Sequence, residues 1–200
     1  MEKIVISTGN AGKVREFKEI LKGWTVSSMK EENVQVFVEE TGKTFEENAW
    51  IKARALAEKL REMKISAIAI ADDSGIEIDA FGGGPGVYSA RFLGEDTPYE
   101  IKNRIILERM ANVEAQNRGA RYVCVIAAVL PDGREISARA TVEGRIGQKP
   151  EGSGGFGYDP IFYVPEYGRT MAQLTPEEKN RISHRGKALQ EIRKKLGGGC

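Results

Sequence analysis

Hydrophobic positions fall into short runs along this chain, and the run ISAIAIA at 65–71 is the most consequential of them. Its length and its small and β-branched residues predict one buried strand, which stops at Asp72-Asp73-Ser74-Gly75. Ile76, Ile78 and Ala80 then alternate with Glu77 and Asp79, the period of a second strand. Residues 4–7 predict an earlier strand. It is followed by a turn and a helix with Asn10 as N-cap and Val14, Phe17, Ile20 and Leu21 as its apolar face. Residues 34–38 read as a strand ending at Glu39 and Glu40. Thr44 and Glu47 form a capping box, opening a helix to about Lys64 with Phe45, Ala49, Leu56, Leu60 and Met63 on one side. Thr97-Pro98-Tyr99-Glu100 repeats that capping logic with proline at the first helical position, launching a helix through Ile101, Ile105, Ile106 and Met110. Two long strands, 121–130 and 135–142, flank Pro131-Asp132-Gly133-Arg134, the strongest hairpin signal in the chain. After a glycine-rich loop at 152–160, a third capping box at Thr175 and Glu178 starts a helical stretch containing Lys179. Residues 183–187 lead into a last helix through Leu189, Ile192 and Leu196. A parallel-looking first half followed by a hairpin predicts an α/β fold with a mixed sheet.

Length and composition narrow the class. Two hundred residues at 40% hydrophobic content describe one domain over 1–200, or two closely packed lobes, with 197–200 as a tail. A formal net charge of +1 argues against a dedicated nucleic-acid or membrane-surface binder. Cys124 sits inside an apolar strand and Cys200 is the last residue, so no disulfide framework is expected, as suits a reducing cytoplasm. No apolar run reaches membrane-spanning length. One histidine and two separated cysteines give no zinc spacing, and no G-x-S-x-G context supports a serine nucleophile.

The chemistry-bearing groups are acids at strand ends (Glu39, Glu40, Asp72, Asp73) and cations at helix starts or on helices (Lys13, Lys52, Lys179, Arg185). A strand, a glycine-containing turn and a helix N-terminus carrying Lys13 present backbone N–H groups to an anion, although the spacing is not that of a P-loop. Carboxylates with lysines suit a nucleotide polyphosphate and its Mg²⁺, which needs only one or two protein carboxylates. One carboxylate could deprotonate the attacking water, and Phe156 offers a face for a base. No covalent nucleophile is required.

Five segments in order, STGNAGK (7–13), EETGKTFEENA (39–49), ADDSGIEIDAFGGGPGVYSAR (71–91), GGFGYDPIF (154–162) and SHRGKAL (183–189), resemble the inosine/xanthosine triphosphate pyrophosphatase family. The resemblance implies a homodimeric α/β protein whose elongated mixed sheet forms two lobes around a central cleft. It also implies Mg²⁺-dependent cleavage of ITP, dITP or XTP to the monophosphate and pyrophosphate. Carried onto this chain, Asp73 is the general base and, with Glu40, a metal ligand, supported by Glu39 and Asp72. Thr8, Gly9, Asn10, Ala11, Gly12, Lys13, Lys52 and Ser74 hold phosphate. Phe156, Gly157, Tyr158, Asp159, Lys179, His184 and Arg185 take the purine end.

A donor such as Arg185 or His184 would pair with the 6-keto oxygen of a deaminated purine and meet a repelling amino group in ATP. Two rival readings are a Maf-like pyrophosphatase for modified pyrimidine nucleotides and a nucleotide-binding sensor without chemistry. The sensor leaves the acidic pairs unexplained.

Overall fold

The structure is a computed structural model that describes residues 2–197; Met1 and the Gly198–Cys200 end of the expected tail lie outside it. Seven strands share one ladder in the order β2-β1-β3-β4-β5-β6-β7. They are β1 (Lys3–Ile6), β2 (Thr25–Ser28), β3 (Ile68–Ile78), β4 (Gly119–Val129), β5 (Glu135–Ile146), β6 (Phe162–Val164) and β7 (Arg169–Thr170). The helices are α1 (Ala11–Ile20), α2 (Phe45–Glu62), α3 (Tyr99–Arg109), α4 (Pro176–Ile182) and α5 (His184–Lys195). β1 runs parallel to β2 and β3, whereas β6 is antiparallel to β5 and β7, so the sheet is mixed as expected.

The chain divides into two compact units. The first takes in everything up to Asp73, Cys124–Ala140, and Arg185 onward. In it Ile4, Ile6, Ile68 and Ile70 pack with Phe17 of α1, with Leu21 that caps it, and with Ala188, Leu189 and Ile192 of α5. The alternate residues Val5 and Ala69 are equally buried, so these strands are covered on both faces, as parallel strands generally are. The second unit, Ser74–Val123 and Thr141–His184, has its own core around Ile76, Ile78, Ile106, Tyr122, Ile161 and Phe162.

Local sequence signals account for most of these elements. Asn10 caps α1 by accepting from Gly12 N and Lys13 N. Thr44 and Glu47 close a reciprocal capping box on α2, a feature worth about 1 kcal/mol. Thr175 and Glu178 do the same for α4. Leu130 N donates to Arg134 O across the expected hairpin turn.

Four expectations need correction. Residues 34–38 form no strand: β1 already pairs with β3 and the unforeseen β2, and Val34 N donates locally to Met29 O instead of to a ladder. Val34 sinks to 3% exposure while Phe37 stands 91% exposed. The strand at 65–71 does not stop at the aspartates; β3 continues through them to Ile78 as one element, and Ala80 leaves it for an exposed helical turn. Thr97 does not cap α3, because its hydroxyl donates to Leu93 O and Pro98 occupies the cap position. Finally, α5 starts at His184 and absorbs the segment expected to precede it.

Candidate active site

The turn between β1 and α1 is built from its own side chains. Thr8 Oγ1 accepts from Asn10 N at 3.1 Å, and Asn10 Oδ1 accepts from Gly12 N at 2.9 Å and Lys13 N at 3.1 Å. No acidic residue occupies the first turn of α1, so the positive end of the helix dipole is not offset locally. Thr8 and Gly12 are half-buried, and Gly9, Asn10 and Ala11 are exposed. Lys13 reaches from the same turn to Asp72 Oδ1 at 3.0 Å.

Strand geometry separates the two aspartates. Successive side chains of β3 point to opposite faces, and each carboxylate meets its own set of cations. Asp72, 1% exposed, faces α1 and α5: Arg185 Nε and Nη2 both donate to its Oδ2 at 3.1 Å, alongside the Lys13 contact. The guanidinium also donates from Nη1 to Glu16 Oε2 at 2.6 Å. Asp73, 6% exposed, faces α2, accepting from Lys52 Nζ at 2.8 Å and Asn48 Nδ2 at 3.3 Å. Lys52 also donates to Glu40 Oε1 at 3.1 Å, so two carboxylates converge on one ammonium.

Their ionisation diverges accordingly. Burial alone would raise Asp72, but Lys13 and Arg185 outweigh it and hold the carboxyl well below the usual range. For Asp73 burial wins: it lifts the pKa above 3.8 despite the opposing charge of Lys52, helped by the like charge of Glu40. Burial works against the Lys52 cation, yet Asp73, Asp72 and Glu40 together raise its pKa. The two adjacent carboxyls are thus pushed in opposite directions, Asp72 held as a fixed charge and Asp73 left easier to protonate. Burial drives the Cys124 thiol up, with Asp72 adding to it, so this cysteine is no nucleophile.

In the second unit, Asp159, 3% exposed, organises the glycine-rich loop. It accepts from Phe156 N at 2.9 Å, Tyr122 Oη at 3.2 Å and Lys179 Nζ at 2.8 Å. A side chain at Gly155, whose φ is +71°, would collide with the Asp159 carboxylate, so the loop is closed tightly around that acid. Lys179 Nζ also lies 4.6 Å from the Phe156 ring centroid. His184 stacks on Tyr122 with ring centroids 4.7 Å apart.

Thus Lys13, Asp72 and Arg185 form one group, Glu40, Lys52 and Asp73 a second, and Phe156, Asp159 and Lys179 a third. Ser74 is half-buried next to Asp73 in β3, and Glu39 is exposed in a loop rather than at a strand end. Arg185, expected at the purine end, is occupied by Asp72 and Glu16. Glu16, Asn48 and Tyr122 had not been foreseen. Asn48 was the accessible one, since it precedes Lys52 by four residues and so shares its helix face.

The sequence profile of the Ham1 family matches residues 4–195. A dITP/XTP pyrophosphatase of Clostridium perfringens is 44% identical over 201 residues, covering 99% of this chain and 98% of its own. A dITP/XTP pyrophosphatase of Bacillus subtilis is 46% identical over 198 residues, covering 98% of each. Among solved structures, the Staphylococcus aureus Ham1 protein superposes with a TM-score of 0.84 at 42% identity, covering 98% of this chain and 99% of its own. A HAM1 protein from Coxiella burnetii gives 0.85 at 38% identity, covering the whole of both chains.

Proposed function

The chain belongs to the Ham1 family, and from that premise we propose that it hydrolyses non-standard purine nucleoside triphosphates (ITP, dITP, XTP) to the monophosphate and pyrophosphate. The observation that carries this reading is the convergence of Glu40 and Asp73 on Lys52, close in sequence to Asp72 and its Lys13. In the reaction, water adds at the α phosphorus, the α–β anhydride bond breaks and pyrophosphate leaves. Asp73 takes the proton from that water, and its raised pKa suits an acceptor. Asn48 orients the accepting carboxylate. Lys13, Lys52 and the turn from Thr8 to Gly12, with Ser74, neutralise and hold the phosphates. Asp72, fixed as an anion, anchors Lys13. Glu39 supports the loop that carries Glu40.

Mg²⁺ fits this donor set. Two carboxylates already gathered around one cation are the number of protein ligands the ion commonly takes, with water and phosphate oxygens completing its shell. Among the described residues no cluster of three or more such ligands exists, so a dedicated all-protein cage is not what the fold offers. When bound by Glu40 and Asp73, the ion would neutralise charge on the triphosphate.

Phe156 through Asp159, with Lys179 and His184, are assigned to the purine. We also propose a homodimer working in the cytoplasm, where the nucleotide pool lies. Exposed Tyr88, Leu93 and Ile101 supply apolar surface for self-association, and a solution mass equal to one chain at micromolar concentration would remove that element. No described helix is long and apolar enough to cross a membrane.

Incubation with dITP and Mg²⁺ is expected to release dIMP and pyrophosphate, and EDTA is expected to abolish that release. IDP and orthophosphate as products would overturn the assignment. Preferential turnover of modified pyrimidine triphosphates in the same panel would favour the Maf-like alternative, and tight ITP binding without turnover the sensor.

A further inference from the structure

We infer that Asn103 of α3 is a positioning residue for the purine loop, acting through the Gly157 carbonyl; this rests on the assignment of Phe156–Asp159 to the base. Asn103 is 5% exposed, and its Nδ2 donates to Gly157 O at 3.1 Å. The Oδ1 of the same amide is also buried and has no hydrogen-bond partner among the described residues. A buried amide half satisfied in this way weakens the fold relative to an apolar residue of the same shape. The one bond it makes is directed at the glycine-rich loop.

That bond goes to the Gly157–Tyr158 peptide, one residue beyond Phe156. The loop is fixed at Asp159 by Tyr122 and Lys179, and at Tyr158 by the phenol that donates to Ser89 O at 2.6 Å. Gly157, with φ +71°, lies between Phe156 and these two anchors and has no side chain of its own to hold it. α3 adds a restraint at Gly157 to the one that Asp159 already gives Phe156 through its backbone N–H. Tyr99 packs edge-to-face on Tyr158 with centroids 5.1 Å apart and lies against the open side of Gly157. One turn further on, Asn103 grips the Gly157 carbonyl. Its neighbour Lys102, 1% exposed, donates to Ala90 O at 2.5 Å, one residue beyond the carbonyl that Tyr158 uses. The same stretch of α3 thus ties down both loops. Losing the Asn103 bond frees the Gly157 peptide to rotate and carries Phe156 away from its place beside Lys179, an effect on binding the base and not on the proton transfer to Asp73.

Asn103→Leu removes both polar atoms, and Asn103→Asp keeps the shape but cannot donate when ionised. Both are expected to raise KM for ITP about tenfold, equivalent to about 1.4 kcal/mol, with kcat within about threefold of wild type. Asn103→Leu leaves the Gly157 carbonyl without this donor, so only a modest fall in melting temperature is expected. An unchanged KM in both variants overturns the inference, as does a steep fall in Tm in Asn103→Leu with kcat and KM changing together, the mark of a merely structural role. Calorimetric binding of inosine monophosphate applies the same test without turnover, with about tenfold weaker binding expected. A wild-type protein that binds this nucleotide yet releases no pyrophosphate from ITP would sink the functional reading and leave this one standing; one that binds no inosine nucleotide would sink both.

Discussion

Asp73→Asn is expected to lower kcat for ITP hydrolysis by about 10²–10⁴-fold, the range a positioned general base contributes, while the protein stays folded. The substituted amide fills the same space and can still accept a hydrogen bond from Lys52, but it cannot take a proton from water. Its effect on stability should be small for a reason visible in the site. The Asp73 pKa is raised on folding because burial outweighs Lys52. A carboxyl with a raised folded-state pKa opposes folding once it is ionised, so at neutral pH removing its charge relieves a penalty. Lys52 loses one partner in exchange but keeps Glu40. A melting temperature within a few degrees of wild type should therefore accompany the collapse in rate. The wild-type pH profile carries the same signature: kcat/KM should rise with pH through an acid limb above 3.8, the ordinary aspartate value, because Asp73 is a base only when ionised. Pyrophosphate release by the variant within tenfold of wild type would take the proton-accepting role from Asp73.

The elements most legible in the sequence were those whose signals are local. Asn10, Thr44 and Thr175 cap helices because their side-chain oxygens find backbone N–H groups two or three residues away, and no tertiary contact is needed. The hairpin at Pro131–Arg134 is equally self-contained. What failed was non-local. Residues 34–38 carry strand composition, yet composition supplies no pairing partner, and the segment bonds locally through Val34 N to Met29 O. The sequence predicts a strand end at the aspartates because two adjacent carboxylates are costly to bury in a run of apolar residues. β3 runs through them because Lys13 and Arg185 on one face and Lys52 on the other arrive from α1, α5 and α2. The candidate site follows the same rule: Glu40, Lys52 and Asp73 are visible in the sequence as residue types, but their meeting is a tertiary contact that spacing does not encode. Glu16 gave no signal, since a glutamate on the border of an amphipathic helix is ordinarily solvated. Asn103 reads as a routine polar position on α3 until its amide is seen to meet a loop 54 residues away.

Arg185→Ala separates two roles for that residue, and the larger expected effect is on the fold. The guanidinium is 2% exposed and bridges Asp72 and Glu16, themselves 1% and 8% exposed. Truncation leaves Asp72 with Lys13 but strips Glu16 of a charge-assisted bond, and breaking a buried pair by removing one partner costs about 3–5 kcal/mol. For a chain of this size that corresponds to a fall in melting temperature of roughly 6–20 °C. The pH dependence fixes the origin of the loss. Asp72 has a folded-state pKa depressed below its unfolded value by Lys13 and Arg185 against the opposing effect of burial, so its stabilisation is present above about pH 3.9 and disappears as pH falls through the folded pKa. Removing Arg185 lets burial push the Asp72 pKa back up, so acid unfolding should begin at higher pH in the variant. Replacing the other pair together, Glu16→Gln with Arg185→Met, leaves Asp72 with Lys13 and no stranded carboxylate, and should recover part of the lost stability. If Arg185 instead served chiefly as the donor to the 6-keto oxygen, it would have to leave Asp72 or Glu16 to do so. Its loss would then narrow the ITP-to-ATP ratio in kcat/KM with little change in melting. Thermal scans from pH 4 to 8 beside rate ratios on the two triphosphates distinguish these outcomes, and an unaltered melting curve would refute the buried counter-ion role.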